Sequence, residues 1–566
     1  GARQSRRSCL HSAAGPAAPA PADASASRAP AGQEPSPAGD IDEVTGTVLA
    51  HVSRISAFPV SRLRDDQLLI DDLGFDSLML TDLFTSLKRQ WPRWTFDETT
   101  ADRPTVASIA ALIARGSADA VPAVVAGPGT ADDDAPLSPT THPRAVPPPA
   151  DPSAPVTSLP EEQTRIEHFP EVTAHTERIG TLSRMGLRNP YFVVHDGRMA
   201  DTTVVDGREL LSFSSYNYLG MATHPEVTRA AREAIDRYGT SVSASRLLSG
   251  SRGLHVELEA EVAGLLGCED AITLANGHAT NVTVIGHLVG PGDLVVHDSL
   301  AHDSILQGCK LSGATRRPFP HNDAAALDAL LTQVRHQYRR VLVVIEGVYS
   351  MDGDIADLPA LVRVKRRHGA LLMIDEAHSI GAIGASGRGI GEYFGIDSSA
   401  VDLWSGTLSK ALASCGGYVA ATRSVVEYLR YTVPGFVYSA GMTPADTAAS
   451  LTALRLLRAE PQRVARLTAN SALFAGLARE AGVDTGDSHD TPIIPCIVGD
   501  SSRTLLLAEA LFQQGISVNP ILYPAVPEEL ARLRFFVTCD HSPDQIRRTV
   551  TALAHELRHA GTAPAA

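Results

Sequence analysis

Paired cysteines are missing from this sequence of 566 residues. Cys9, Cys268, Cys309, Cys415, Cys496 and Cys539 are scattered, with no CxxC among them, so neither a disulfide framework nor a zinc motif is indicated. Reduced thiols in a cytoplasmic protein are the simplest expectation. No apolar run is long enough to span a bilayer. Basic residues are in deficit: 49 Lys and Arg face 64 Asp and Glu, for a formal charge of −15. That balance argues against a nucleic acid or an anionic membrane as partner, because both need clustered Lys and Arg. Hydrophobic residues make up 44%, enough for a globular core.

Composition shifts along the chain. Residues 1–40 are Pro- and Ala-rich, and are expected to be disordered. Their Arg, Ser and Ala imitate a transit peptide, but a disordered linker is the better reading. The chain begins with Gly rather than Met, which fits a segment cut from a longer polypeptide and equally a trimmed one. Residues 41–117 read as a small helical bundle: "DEVTGTVLAHVSRI" is amphipathic, "SLMLTDLFTSLKRQW" has helical apolar spacing, and "PTVASIAALIARG" runs from Pro to Gly. Residues 118–164 return to Pro, Ala, Asp and Thr, a second expected disordered linker. A long folded region is expected over 165–558, then a flexible tail over 559–566.

The long region alternates. "VLVVIEG" reads as a buried strand, "DLPALVRVKRRHG" as a helix ending at Gly369, and "ALLMIDEAH" and "DLWSGTLSK" as further strands. This rhythm predicts an α/β domain with a mostly parallel sheet, whose functional groups sit at the carboxyl ends of the strands. Several candidates fall there. Lys410 lies among small residues in "LWSGTLSKALASCGGYV". Asp375 and His378 share "IDEAH", and Asn276, Gly277 and His278 form a turn whose N–H groups suit a phosphate. Thr407 precedes Lys410, His302 lies in "HDSLAHDSILQG", and Arg534 has the fork a carboxylate needs. This is the set pyridoxal 5'-phosphate (PLP) requires: an amine, an acid for the pyridine nitrogen, a donor to the ring oxygen, a stacking ring, a phosphate cup and a carboxylate cation. Singly each also suits a plainer role: Asp375 a helix N-cap, His302 a core histidine, Thr407 a turn residue, Arg534 a surface charge.

Order makes the set specific. "SYNYLG", "SASRLLSGSRGLHVELE", "EGVYSMDGDIADLP", "IDEAHSIGAIGASGRGI" and "GTLSKALASCGGYV" follow one another, and together resemble the α-oxoamine synthases, fold-type I PLP enzymes that include serine palmitoyltransferase and 8-amino-7-oxononanoate synthase. The resemblance implies a mostly parallel α/β domain with a smaller C-terminal α+β domain. It implies Lys410 as Schiff-base lysine, Asp375 on the pyridine nitrogen, His378 on the ring oxygen and His302 stacked on the ring. Thr407, Ser350 and the Asn276–Gly277–His278 turn would hold cofactor oxygens. Ser439 would reach the phosphate of a neighbouring subunit, implying a homodimer. Arg534, Tyr216, Asn217 and Ser245 would border the amino acid. Two departures stand out: Leu522 in "ILYPAVP" replaces an arginine of some members, and Ala440 and Gly441 replace residues usually hydroxylated.

"DDLGFDSL" in the small region resembles the acyl carrier protein signature. There Ser77 would carry 4'-phosphopantetheine, although an N-cap serine is the plainer role. A carrier domain fused to an α-oxoamine synthase implies decarboxylative condensation of a small amino acid, serine or alanine first and glycine next, with an acyl thioester on the protein's own arm. It also implies a phosphopantetheinyl transferase and upstream polyketide or fatty-acid synthase components as partners. Another PLP reaction (aldol cleavage or transamination) and a non-catalytic carrier scaffold are the competing readings. Neither of those PLP reactions needs a thioester, and a decayed domain would not keep the whole set.

Overall fold

The structure is a computed structural model that describes residues 41–56, parts of 60–91, 104–117, 159–184, 188–523 and 525–560. The expected disordered segments over 1–40 and 118–158, the end of the tail at 561–566, and Ser77 lie outside the described residues. In the small region the helices Ile41–Ser56 and Val106–Ser117 share an apolar cluster with Leu63, Leu69, Phe75, Leu83 and Leu87. The expected four-helix carrier domain is described only in these two helices and a helical stretch within 83–90.

The long region carries thirteen described strands. β1 (Thr202–Val205) and β2 (Arg208–Ser212) come first. β3 (Asp270–Leu274), β4 (Leu294–Asp298), β5 (Thr315–Phe319), β6 (Val341–Glu346), β7 (Leu371–Asp375), β8 (Leu403–Thr407) and β9 (Gly417–Ala421) form one sheet in the order β3-β9-β8-β7-β6-β4-β5. β9 alone runs antiparallel to its neighbours; the other pairings are parallel, as the alternating pattern predicts. β4, β6 and β8 are buried throughout, and β6 in consequence reads as an apolar run, Val341–Ile345, rather than an alternating one. The period of two still sorts their side chains. Val341, Val343 and Ile345 enter the cluster on one face, Leu342 and Val344 the cluster on the other.

The crossover from β6 to β7 shows how sequence sets an element. Asp357 caps the helix Leu358–His368 by accepting from the Ala360 N–H at 3.1 Å. The basic run Lys365–His368 lies at the negative end of the dipole, and Gly369 ends the helix with φ 57°.

A smaller domain follows, built on β10 (Ile493–Ile497), β12 (Asn519–Ile521) and β13 (Arg532–Phe536), an antiparallel sheet in the order β10-β13-β12. The N-terminal side contributes too: β11 (Ile516–Ser517) pairs parallel with β2, and Leu211 and Phe213 join the core of this domain.

Two expected boundaries shift. The chain is already helical at Glu161–Thr164, inside the expected linker, where Glu161 and Glu162 favour a helix start. The final helix, Pro543–Ala560, packs its apolar face as far as Leu557 and runs two residues past 558. No helix among the described residues is long and apolar enough to cross a membrane.

Candidate active site

Sheet order places the ends of β6, β7 and β8 side by side, with Glu346 opposite Asp375 and Asp375 opposite Ser405. Asp375 is buried and fully engaged. Its Oδ2 accepts from Asn281 Nδ2 at 2.7 Å, and its Oδ1 from the Ala377 N–H at 2.9 Å. Asn281 is held in turn by the Ser405 hydroxyl at 2.8 Å and reaches Ser304 Oγ at 3.0 Å.

Lys410 lies in the turn just beyond β8, and its Nζ is 2.8 Å from His378 Nε2. The other ring nitrogen of His378 meets the buried Tyr218 hydroxyl at 2.8 Å. Burial draws the Lys410 ammonium down to about 8, although Asp375 and Glu346 pull the other way. Burial, with Lys410 and Arg534 nearby, holds His378 well below the ordinary imidazole value, so it is neutral and offers one donor and one acceptor. Burial pushes the Tyr218 hydroxyl well up, keeping it protonated. Tyr216 closes this corner: Lys410 Nζ is 5.6 Å from its ring centroid, and its ring meets His378 edge-on at 5.9 Å.

His302 caps the helix Asp303–Ser312, with Nδ1 2.8 Å from Ser304 Oγ and its backbone N–H donating to Glu346 Oε1 at 2.6 Å. Its ring is exposed, which removes the core-histidine alternative. Asn276 caps the helix Gly277–Leu288 by accepting from the Ala279 N–H at 2.7 Å. A Cβ on Gly277 would lie 2.8 Å from Thr407 Cβ, so only glycine lets this turn approach β8. His278 is exposed beside it, its ring 6.3 Å from that of His302. Thr407 donates to the Gly416 carbonyl at 3.1 Å. On β13, Arg534 Nη1 donates to the Ser350 carbonyl at 2.8 Å, while its buried Nε has no hydrogen-bond partner.

The aminotransferase class I and II family matches residues 208–553. The 8-amino-7-oxononanoate synthase of Geobacter sulfurreducens is 43% identical over 360 residues, 63% of this chain and 91% of that protein. The serine palmitoyltransferase of Bacteroides ovatus is 36% identical over 369 residues, 65% of this chain and 93% of that protein. A solved serine palmitoyltransferase of Sphingomonas wittichii superposes with a TM-score of 0.67 at 32% identity, covering 71% of this chain and all of that one. The chain belongs to the α-oxoamine synthases of the aminotransferase class I and II family. It is a PLP-dependent enzyme of the acyltransferase type, whose relatives condense an amino acid with an acyl thioester and lose carbon dioxide.

The residues of this α-oxoamine synthase fit PLP. They supply an amine of lowered basicity, a carboxylate at a strand end, an exposed imidazole anchored at one nitrogen, and an orphaned guanidinium N–H. Other expected residues are engaged by backbone groups outside the Lys410 cluster. Ser245 donates to the Val437 carbonyl at 2.7 Å and pairs with Ala440, next to Ser439. Both ends of the Asn217 amide are spent on backbone, Nδ2 on the Met199 carbonyl at 3.2 Å and Oδ1 on the Ala222 N–H at 3.0 Å. Tyr218, Asn281 and Glu346 were not singled out from sequence. Tyr218 sits inside "SYNYLG" and Asn281 ends "ANGHATN", but only the fold shows which side chains they hold.

Proposed function

We propose that the chain joins a small L-amino acid, serine or alanine first and glycine next, to an acyl thioester carried on its own phosphopantetheine arm at Ser77. The products are an α-aminoketone, carbon dioxide and the free carrier thiol. One observation carries the reading: Lys410 Nζ lies 2.8 Å from a neutral His378 beside the strand-end Asp375. Lys410 would hold the cofactor and then take the Cα proton, because its lowered basicity gives a far larger share of free amine near neutral pH than an ordinary lysine has. Asp375 keeps a proton on the pyridine nitrogen, His378 binds the ring oxygen, and His302 fixes the ring's face. Bound PLP supplies the sink for electrons released at Cα. Asn276, Gly277, His278, Ser350 and Thr407 hold cofactor oxygens, with Ser439 serving the neighbouring subunit of a homodimer. Arg534 binds the substrate carboxylate, helped by its unpartnered Nε; Tyr216, Asn217 and Ser245 border the amino acid.

Residues 41–117 act as the carrier and 165–558 as the catalytic region. A tether raises the local concentration of the thioester and so favours delivery in the same assembly. A fused carrier suits an assembly line that releases polyketide or fatty acyl chains as aminoketones, loaded by upstream synthase components after a phosphopantetheinyl transferase has modified Ser77. A second reading, with free acyl-CoA as donor, is favoured by one fact: the matches to the two relatives cover 91% and 93% of those proteins yet only 63% and 65% of this chain.

The deciding experiment loads the phosphopantetheinylated protein with acyl groups and screens amino acids for carbon dioxide release. Release that depends on Ser77 and is lost in Ser77→Ala supports the tethered donor. Release with acyl-CoA that is unaffected by Ser77→Ala refutes it.

A further inference from the structure

Behind the site lies a buried ionic cluster that the proposed chemistry does not use. Asp298 ends β4 and begins the turn that leads to His302, and Asp354 closes the turn 348–355 that contains Ser350. His321, just beyond β5, stands between them. Its Nδ1 is 2.9 Å from Asp298 Oδ1 and its Nε2 3.1 Å from Asp354 Oδ2. Carboxylate oxygens accept, so both ring nitrogens carry hydrogen and the ring is an imidazolium.

Each carboxylate anchors one wall of the site. Asp298 accepts from the Leu300 N–H at 2.8 Å, the Asn322 N–H at 2.8 Å and the Tyr349 hydroxyl at 2.9 Å. Asp354 Oδ2 also takes Asn322 Nδ2 at 3.2 Å, while its Oδ1 is buried without a partner, so this carboxylate depends on His321 for charge balance. The turn that Asp354 closes is gripped from the smaller domain. Ser350 and Met351 receive Arg534, Asp352 pairs with Arg532 at 2.5 Å, and the Gly353 carbonyl accepts from Thr491 at 2.7 Å. The charged or titratable groups facing His321 are Asp298, Asp354 and Tyr349, whose ring it meets edge-on at 4.5 Å; Glu346 lies behind Asp298, its carboxyl held well above the usual carboxylate range by burial.

We propose that His321 is a positioning residue: its imidazolium ties the turn presenting His302 to the turn seating Arg534, and so sets the spacing between the wall that holds the cofactor ring and the wall that holds the amino-acid carboxylate. The inference rests on the roles proposed above for His302 and Arg534. Burial disfavours the charge, but the two carboxylates more than offset it and carry His321 up to about 10.

The test uses the full chain with PLP bound. His321→Gln removes the charge and one of the two clamps. The visible cofactor band should persist with altered circular dichroism, and amino-acid affinity, read by spectral titration, should weaken roughly ten- to hundredfold, as for a lost hydrogen bond to a charged group. The KM for the acyl thioester should stay unchanged. Asp354→Asn loosens only the Arg534 wall, and should weaken amino-acid binding with the dichroism intact. Wild-type affinity and dichroism in both variants would overturn the proposal. If His321→Gln fails to fold, Asp354→Asn decides alone, and unchanged amino-acid affinity in it is the overturning result.

The apo-protein gives a readout independent of turnover. The folded-state value of His321 lies above its ordinary 6.5, so its contribution to stability is full below about 6.5 and lost as pH rises through about 10. The wild-type thermal midpoint should fall across that window more than that of His321→Gln; parallel curves would overturn the charged clamp. A wild-type chain that binds PLP but no amino acid would overturn the functional reading instead, and the apo-protein curves would still decide the charge on His321.

Discussion

Replacing Tyr218 by Phe removes one oxygen from the chain of contacts that ends at Lys410. The tyrosine is fully buried, and its hydroxyl sits 2.8 Å from His378 Nδ1. His378 is itself buried, and its other nitrogen is engaged by Lys410 at 2.8 Å. Phenylalanine keeps the ring packing against Phe536, so the dominant cost is a buried imidazole nitrogen without a partner, about 1–3 kcal/mol. For a region of roughly 400 residues each kcal/mol lowers the melting midpoint by only about 1 °C, so a fall of about 1–4 °C is expected in the apo-protein by scanning fluorimetry or calorimetry. Function should suffer separately. An imidazole freed at Nδ1 no longer aims Nε2, so kcat should drop by about ten- to hundredfold while PLP remains bound. Measuring both quantities on one preparation separates the effects. An unchanged midpoint together with unchanged kcat would refute the claim that Tyr218 orients His378.

Lys410 is drawn down to about 8 mainly by burial, so the rate at which apo-protein captures PLP should rise as pH rises through about 8 and then level off; stopped-flow absorbance showing a midpoint near 10 would contradict this. Arg246→Met strands Glu259, which Arg246 grips at 2.9 and 3.2 Å in the core, and should cost about 3–5 kcal/mol in denaturant unfolding, toward the lower end because Arg430 also reaches Glu259 at 3.3 Å. Gly353→Ala should lose about 1–3 kcal/mol from backbone strain alone, since Gly353 has φ +71°. The added Cβ would also meet the Ile493 carbonyl oxygen, so amino-acid binding at the adjoining Arg534 should weaken as well; equal stability in unfolding titrations would refute this.

What sequence could say depended on whether a partner was local. Asp375 and His378 are three positions apart on one strand end, and Thr407 and Lys410 repeat that spacing, so their shared site was readable as pattern. Arg534 was readable only as a candidate for a carboxylate, with no sign that its Nη1 is committed to the Ser350 carbonyl. Asn281 and Tyr218 act through Asp375 and His378 at separations of 94 and 160 residues, and spacing carries no trace of such pairs. The His321 clamp hid for the same reason, its two carboxylates lying on different turns. His302 illustrates a third limit: stacking and core packing favour the same residue type, and the sequence does not show that this histidine is exposed. The parallel sheet was legible because burial on both faces writes unbroken apolar runs, whereas helix ends at Glu161 and Ala560 depend on capping and packing that composition blurs.

The pairing of β2 with β11 has a consequence for how the protein is made. Leu211 and Phe213 leave the ribosome early, yet the surface that covers them is completed only when Ile516, Phe535 and the last helix emerge. Until then the two apolar side chains must wait while the whole seven-stranded sheet is synthesised between them and their partners. A chain released before Ile516 would therefore carry a sticky, unfinished flank on the side of Leu211 and Phe213, and an intact smaller domain marks a chain whose synthesis has passed the helix Pro543–Ala560.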